Sequence, residues 1–459
     1  MTSTFYPVCL IAFVLILPSP LLAQIGNGNG NGGNNGGNQN AAGIEINPQG
    51  VVSTVVPHRE AATVLEARKR EYLEEKLPAS LVESTEQRVL SLREVEQQVA
   101  KALAAGEEVP LAVQALGGLM RVDEVIVDVA GHDVLLVGPA EGFVPDSQGR
   151  LLGVESGRPP LLLDDLVVAL RSVMSGEETI GCSIDPTNDN MARLQQYLRQ
   201  NSSPTTSSGA AQRYKVMSQI LGQQDISIWG VPRNTHFSVI LVEADLRMKR
   251  ISLGIEPAGV KGIRSHLSLL APQGNSLQRW WFVPRYEPPQ TNADRTMFRL
   301  AGPRVQLLAQ EEFSNAGGQR FDAAQTREST EQFAMLFSNH YDKLAAKQPA
   351  FAELQNLFDL AIVAALIRTE GWQQRLGWPM ETFLTSSQLP LGRYPEPRTV
   401  SSVSTTRKVG QVMLGLVGGV TMDVNPVVRQ SRVDPGVPAR PPIPPRTSEW
   451  LFWNNLPAE

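Results

Sequence analysis

The sequence predicts an α+β protein: N-terminal helices, mixed β-sheet segments with interleaved helices, a late helical hairpin and a C-terminal β segment, between disordered termini. Three observations lead there. Ser91-Leu92-Arg93-Glu94 has the form of a capping box, and Leu92, Val95, Val99 and Leu103 follow at helical spacing toward Gly106. Val125 to Val129 and Val134 to Val137 are β-rich runs flanking Gly131-His132-Asp133, the pattern of a hairpin. Phe333, Leu336, Phe337, His340, Tyr341 and Leu344 line one helical face; after Pro349, Phe351, Leu354, Leu357, Phe358, Ala361, Ile362 and Ala365 line a second.

In chain order, residues 1–23 read as a secretory signal peptide. The apolar run Cys9 to Leu17 is followed by the breaker Pro18-Ser19-Pro20, then Leu21-Leu22-Ala23 before Gln24. The run falls short of the ~20 residues that span a bilayer, and no Lys or Arg precedes it. Cys9 lies before the run, where a lipidated Cys would follow it, so lipidation is set aside. Residues 24–57 read as a flexible tether, because 26–43 contain only Gly, Asn, Gln and Ala and bury nothing to offset their ordering entropy. Residues 58–120 read as a helical segment, Glu60 to Lys76 being rich in helix formers.

Residues 121–425 read as an α+β core of one domain or two subdomains. After the Val125 hairpin, Leu161 to Val173 suits a helix and Glu178 to Ile184 a strand. The strand ends at Asp185-Pro186-Thr187, and Met191, Leu194, Tyr197 and Leu198 mark the next helix. A loop at 201–209 and a helix near 211–222 lead to strands at Ile226 to Trp229 and His236 to Val242. Periodicity leaves Glu243 to Gly254 open between strand and helix. Arg279 to Tyr286 and Met297 to Gln310 read as strands. The helical hairpin follows, then a β segment over Val400 to Val424 with Gly410, Gly415, Gly418 and Gly419 as expected bulge or turn positions. In the tail, 426–459, Pro441 to Pro445 is a stiff extended segment before Trp450, Phe452 and Trp453. It suits a partner's groove or its own domain equally.

Composition narrows the function classes. At 42% hydrophobic and 19% charged residues the chain has the makings of a substantial core. A formal charge of −5 gives no basic surplus, so nucleic acid is not an expected partner. Beyond the signal peptide no stretch is apolar for 18 uninterrupted residues, and no transmembrane helix is expected in the mature chain. Cleavage removes Cys9 and leaves Cys182 alone, which excludes an intrachain disulfide.

Several stretches are similar to a known family when taken together. These are Gly181-Cys182-Ser183-Ile184-Asp185-Pro186-Thr187; Gly230-Val231-Pro232 with Thr235-His236-Phe237; Leu241 to Lys249; Arg279-Trp280-Trp281-Phe282-Val283-Pro284; and Arg407-Lys408-Val409-Gly410. They resemble an uncharacterised family of exported planctomycete proteins, domain-of-unknown-function family 1598, over residues 120–425. The resemblance implies an envelope or extracytoplasmic setting. It implies no reaction and no catalytic residues.

The sharpest enzymatic arrangement is a thiol hydrolase with Cys182 as nucleophile, His236 as base, and Glu243 or Asp245 orienting the imidazole. Along an extended strand, Glu243 and Asp245 fall on the face opposite His236, so a buried Cys closing a core strand is the preferred reading. Asp185 to Asn190 offers oxygen ligands but lacks the Gly and distal Glu of a calcium loop, and helix capping accounts for it. No His spacing suits zinc, and no metal or cofactor is expected. Trp280 and Trp281, with Arg285 beside them, are the candidate ligand-binding residues, although alternate strand residues must face opposite ways. The expectation is an exported, non-catalytic binding or structural module that meets an envelope polymer or protein partner. The alternative is the Cys182/His236 hydrolase acting on an envelope polymer.

Overall fold

A computed structural model describes residues 43–47, 50–55, 62–203, 207–270, 274–314, 320–322, 325–401, 412–443 and 452–455. The expected signal peptide, the Gly/Asn-rich tract, Arg407 to Gly410, and Pro444, Pro445 and Trp450 of the tail lie outside the described residues. The architecture is α+β, with two large sheets and the long helices sharing a core.

The nine-stranded sheet runs, in spatial order, Gly43–Ile46, Val51–Val55, Thr399–Ser401, Gln223–Trp229, Ile180–Pro186, Val412–Met422, Gly274–Arg285, Arg304–Ser314 and Arg320–Asp322. Its first two strands lie within the stretch expected to be a tether. Asn47 and Gly50 make the turn between them: Asn47 Oδ1 accepts from Val51 N at 2.9 Å, and Gly50 takes a φ of +77°. The expected bulges in Val412–Met422 do not occur. Pairing with Gly274–Arg285 runs without a shift from Val412 to Val420. Glycine is needed at 419 for closeness instead, since a Cβ there would lie 1.8 Å from the Cys182 carbonyl oxygen.

The seven-stranded sheet runs Arg432–Val433, Gln290–Thr291, Met297–Arg299, Glu124–Asp128, Asp133–Ala140, Thr85–Ser91 and Trp453–Asn455. Both its faces are covered. Val125, Val127, Val134 and Leu136 join the main core, while Val89, Ile126, Leu135 and Val137 pack with Met297, Val437 and Ile443. The described part of the tail therefore folds back on its own chain: Val437 and Ile443 cover this face, and Trp453–Asn455 adds the edge strand beside Thr85–Ser91.

Three further expectations are corrected. Residues 58–120 are not wholly helical, because Thr85–Ser91 pairs with Asp133–Ala140; tertiary pairing overrides the helix propensity of Glu86, Gln87 and Arg88. Its last residue does cap the next helix, Leu92–Ala105, as the capping box predicts: Ser91 Oγ accepts from Glu94 N at 3.0 Å. Met297 to Gln310 is two strands in different sheets, Met297–Arg299 and Arg304–Ser314, joined by a turn in which Gly302 and Arg304 take φ of +100° and +65°.

The third correction bears on the site. His236 to Val242 is not a strand but the start of a helix, His236–Ser252, whose N-cap Thr235 accepts from Ser238 N. Fourteen of its 17 residues are buried, so no polar face exists to show a helical period. This helix packs on Ile180–Pro186 and Val412–Met422 of the large sheet, and Pro349–Thr369 packs on it and on Leu163–Met174. Pro349–Thr369 is long and apolar enough to cross a membrane by length and composition; its most apolar 18-residue window is entirely buried in the molecule. One core cluster includes residues from both sheets and all three of these helices.

Candidate functional site

A cleft of about 870 Å³ opens where the Leu163–Met174, His236–Ser252 and Pro349–Thr369 helices meet. Its walls include Leu103, Leu111 and Val239, with Pro390 to Pro395 along one side, and its polar side carries Arg150, Asp164, His236, Glu243 and Glu353. Each polar group is placed by a local device. Asp164 and Asp165 open their helix, where carboxylates meet the positive end of the helix dipole. His236 is the first residue of its helix. Arg150 is presented by a turn in which Asp146 Oδ1 accepts from Gln148 N and Arg150 N, with Gly149 at φ +82°.

The groups form one chain of alternating charge. His236 Nδ1 donates to Asp165 Oδ2 at 2.9 Å, and its Nε2 lies 3.7 Å from Glu353 Oε1. Arg150 joins the two glutamates, with Nε 3.1 Å from Glu353 Oε1 and a terminal nitrogen donating to Glu243 Oε2 at 2.6 Å. Arg247 donates to Glu243 Oε1 at 2.8 Å and to Glu256 Oε1 at 2.5 Å, and Arg250 reaches Glu256 Oε2 at 3.1 Å. Pairing is required here, because a lone buried charge costs several kcal/mol.

The network shifts its titrating members apart. Burial works against the imidazolium, but Asp165, by charge and by hydrogen bond, and then Glu353 outweigh it and hold His236 up to about 9. For Glu353 burial wins over Arg150 and His236, and its carboxyl is pushed up to about 7. Glu243 is buried too, yet Arg150 and Arg247 hold it below the usual carboxylate range. Tyr394 lies against His236, ring centroids 5.5 Å apart, and burial pushes its phenol up to about 12.

The sequence-derived candidates divide. His236 is in the cleft, but Cys182 is 1% exposed within the large sheet, its thiol pushed well up by burial. The charged groups acting on it are Asp245, Lys249 and Asp185, not His236. A thiolate nucleophile needs an adjacent base and access, and Cys182 has neither. Asp245 does not orient His236; it is fully buried and accepts from Lys249 Nζ at 2.7 Å. Glu243 shares the cleft with His236 after all, because seven residues make about two helical turns. The aromatic candidates do not form one surface. Trp280 is fully buried, its ring centroid 4.9 Å from both His266 and Phe333. Trp281 is half-buried under the Arg279 guanidinium at 4.8 Å, and Arg285 is exposed.

Sequence reasoning missed Arg150, Asp164, Asp165, Glu353 and Tyr394. Glu353 carried a usable signal: a carboxylate in a helix as rich in apolar residues as Pro349–Thr369 has to find a cation or a proton, and Asp359 in the same helix carries the same signal. His340, placed on a helix face by periodicity, sits at a helix end with Nδ1 2.9 Å from Leu336 O. Thr187 does cap its helix, accepting from Asn190 N at 3.2 Å. Among the described residues no group of three or more His, Cys, Asp or Glu side chains is arranged to hold a metal ion.

No curated protein and no solved structure matches the chain. Residues 182–266, the stretch that runs from Cys182 through the whole His236–Ser252 helix, match the model of a family described as a protein of unknown function, DUF1598.

Proposed function

We propose that this protein is an exported binding module of the cell envelope, and that the His236 cleft is where it holds its ligand. One observation carries the reading: a preformed cleft of about 870 Å³ whose polar side is already cross-paired and held in position. That volume is in the range of small-molecule and polymer-segment sites, and a pre-organised wall lowers the ordering cost of binding. Among the described residues the lining includes no Ser, Thr, Cys or Lys. The apparent leader sequence supports an extracytoplasmic setting. A second reading, acid–base catalysis by Glu353, is favoured by its carboxyl being held up to about 7, where a group gives and takes protons at neutral pH.

The test is retention on immobilised, protease-treated envelope polymer. Wild type and Trp281→Ala are expected to be retained equally. Val239→Trp, which places a large ring on the cleft wall, is expected to lose retention while keeping the wild-type circular dichroism spectrum. Equal retention of Val239→Trp removes the cleft from the function, and release of cleaved fragments by wild type favours the catalytic reading.

A further inference from the structure

We propose that the ligand of this cleft carries a protonated nitrogen, a primary amine or similar cation, that seats among Glu353, Asp164 and the Tyr394 ring, with an apolar part along Leu103, Leu111 and Val239. This rests on the cleft being a binding site and adds the class of ligand.

The charge on the walls is unequal. Five carboxylates, Glu107, Glu108, Asp164, Glu243 and Glu353, line the cleft against two cations, Arg150 and His236. Both cations are engaged: Arg150 with Glu353 and Glu243, His236 with Asp165 and, at longer range, Glu353. An anionic ligand would have to displace one of these buried partners, which is costly. The acceptors retain capacity. Glu353 is 4% exposed, yet its Oε2 takes no hydrogen bond from any described group. A carboxylate oxygen has two lone pairs, and one left empty in a buried position carries its full desolvation cost. Oε2 is itself closed to solvent, so a ligand N–H supplies what is missing once the Glu353 carboxylate turns toward the cleft. Asp164 Oδ2 accepts only from Gly392 N at 3.0 Å among the described contacts and stands half-buried on the same wall. Tyr394 is 38% exposed and offers a ring to a cation. Leu103, Val109, Leu111, Val239 and Ile240 add an aliphatic stretch to the lining, which suits an amphipathic molecule rather than a free metal ion.

Calorimetry with three probes of equal chain length tests this: n-octylamine, octanoate and 1-octanol against the purified chain at pH 8. Octylammonium is expected to bind at least ~10-fold more tightly than either of the others, about the 1.4 kcal/mol of one charge-assisted hydrogen bond. Glu353→Gln is expected to remove that preference and leave octanol binding unchanged. Asp164→Asn, at a half-buried position, serves as the second variant and is expected to weaken the amine alone by severalfold. Octanoate binding as tightly as the amine, or an amine affinity indifferent to both substitutions, overturns the proposal. If none of the three probes binds while polymer retention is still lost in Val239→Trp, the cleft remains a binding site and the cation is refuted. If retention survives Val239→Trp, the binding reading falls first.

Discussion

Two histidines shielded from solvent to different degrees meet opposite fates. His266 lies beside Trp280 and Phe333, and burial, aided by the Arg327 charge, pushes it down to about 3. His236 is half-buried at the cleft, and Asp165 and Glu353 hold it up to about 9. Both belong to stretches that look alike in sequence, each His following a hydroxyl N-cap, Thr235 or Ser265, at the start of a helix. Burial disfavours the charged ring in both places; a carboxylate within hydrogen-bond reach reverses the outcome in one of them. A cleft borders His236, whereas the imidazole beside Trp280 is closed in by the core. The sheet interior around Trp280, His266 and Cys182 thus contributes cohesion, and the junction of the three helices holds charge next to open space.

The contrast is broken most severely from the sheet side. Trp280→Ala deletes a fully buried ring and is expected to cost ~3–5 kcal/mol, read as a lower urea midpoint. The His236 titration followed by NMR should stay near 9 in that variant. A shift of more than about one pH unit would mean that the two regions are coupled.

Replacing His236 comes next. Its folded value is raised above the unfolded 6.5, so its contribution is fully present below pH 6.5 and is lost as the pH rises through about 9. His266 has the opposite sign: its depressed value makes stability fall as the pH drops from 6.5 toward 3. Urea unfolding of wild type should therefore show a decline on both sides. His236→Gln is expected to flatten the alkaline limb by an amount on the order of 3 kcal/mol and leave the acid limb alone. An alkaline limb that survives the substitution disproves the assignment.

The smallest effect is expected at Cys182. Cys182→Ala should cost ~1 kcal/mol for the lost packing and leave retention on envelope polymer unchanged. Iodoacetamide should label wild-type Cys182 only in denaturant. Labelling of the native protein at neutral pH would reinstate a reactive thiol.

How much was legible from the residues depends on how local the determinant was. Ser91 capping Leu92–Ala105, Thr187 capping the helix after it, and the hairpin around His132 all follow from neighbours a few residues apart. The helix from His236 was misread as a strand because burial all round erases the period that distinguishes the two. The two Trp residues were legible only as a choice: alternation puts one inward, and packing against Phe333 decides that it is Trp280. Glu353 and Asp165 come from helices far apart in the chain and face His236 only once those helices cross, so no spacing rule reaches them.

The sequence by itself determined the α+β class, most of the elements and their caps and the absence of a basic surplus, because these depend on composition and on contacts within a turn or two. The tertiary structure alone decided that the tail returns to the second sheet, that Cys182 is sealed, and that His236 stands between Asp165 and Glu353. Those outcomes depend on which distant surfaces meet, and a buried charge has a favourable place only where such a meeting supplies its partner.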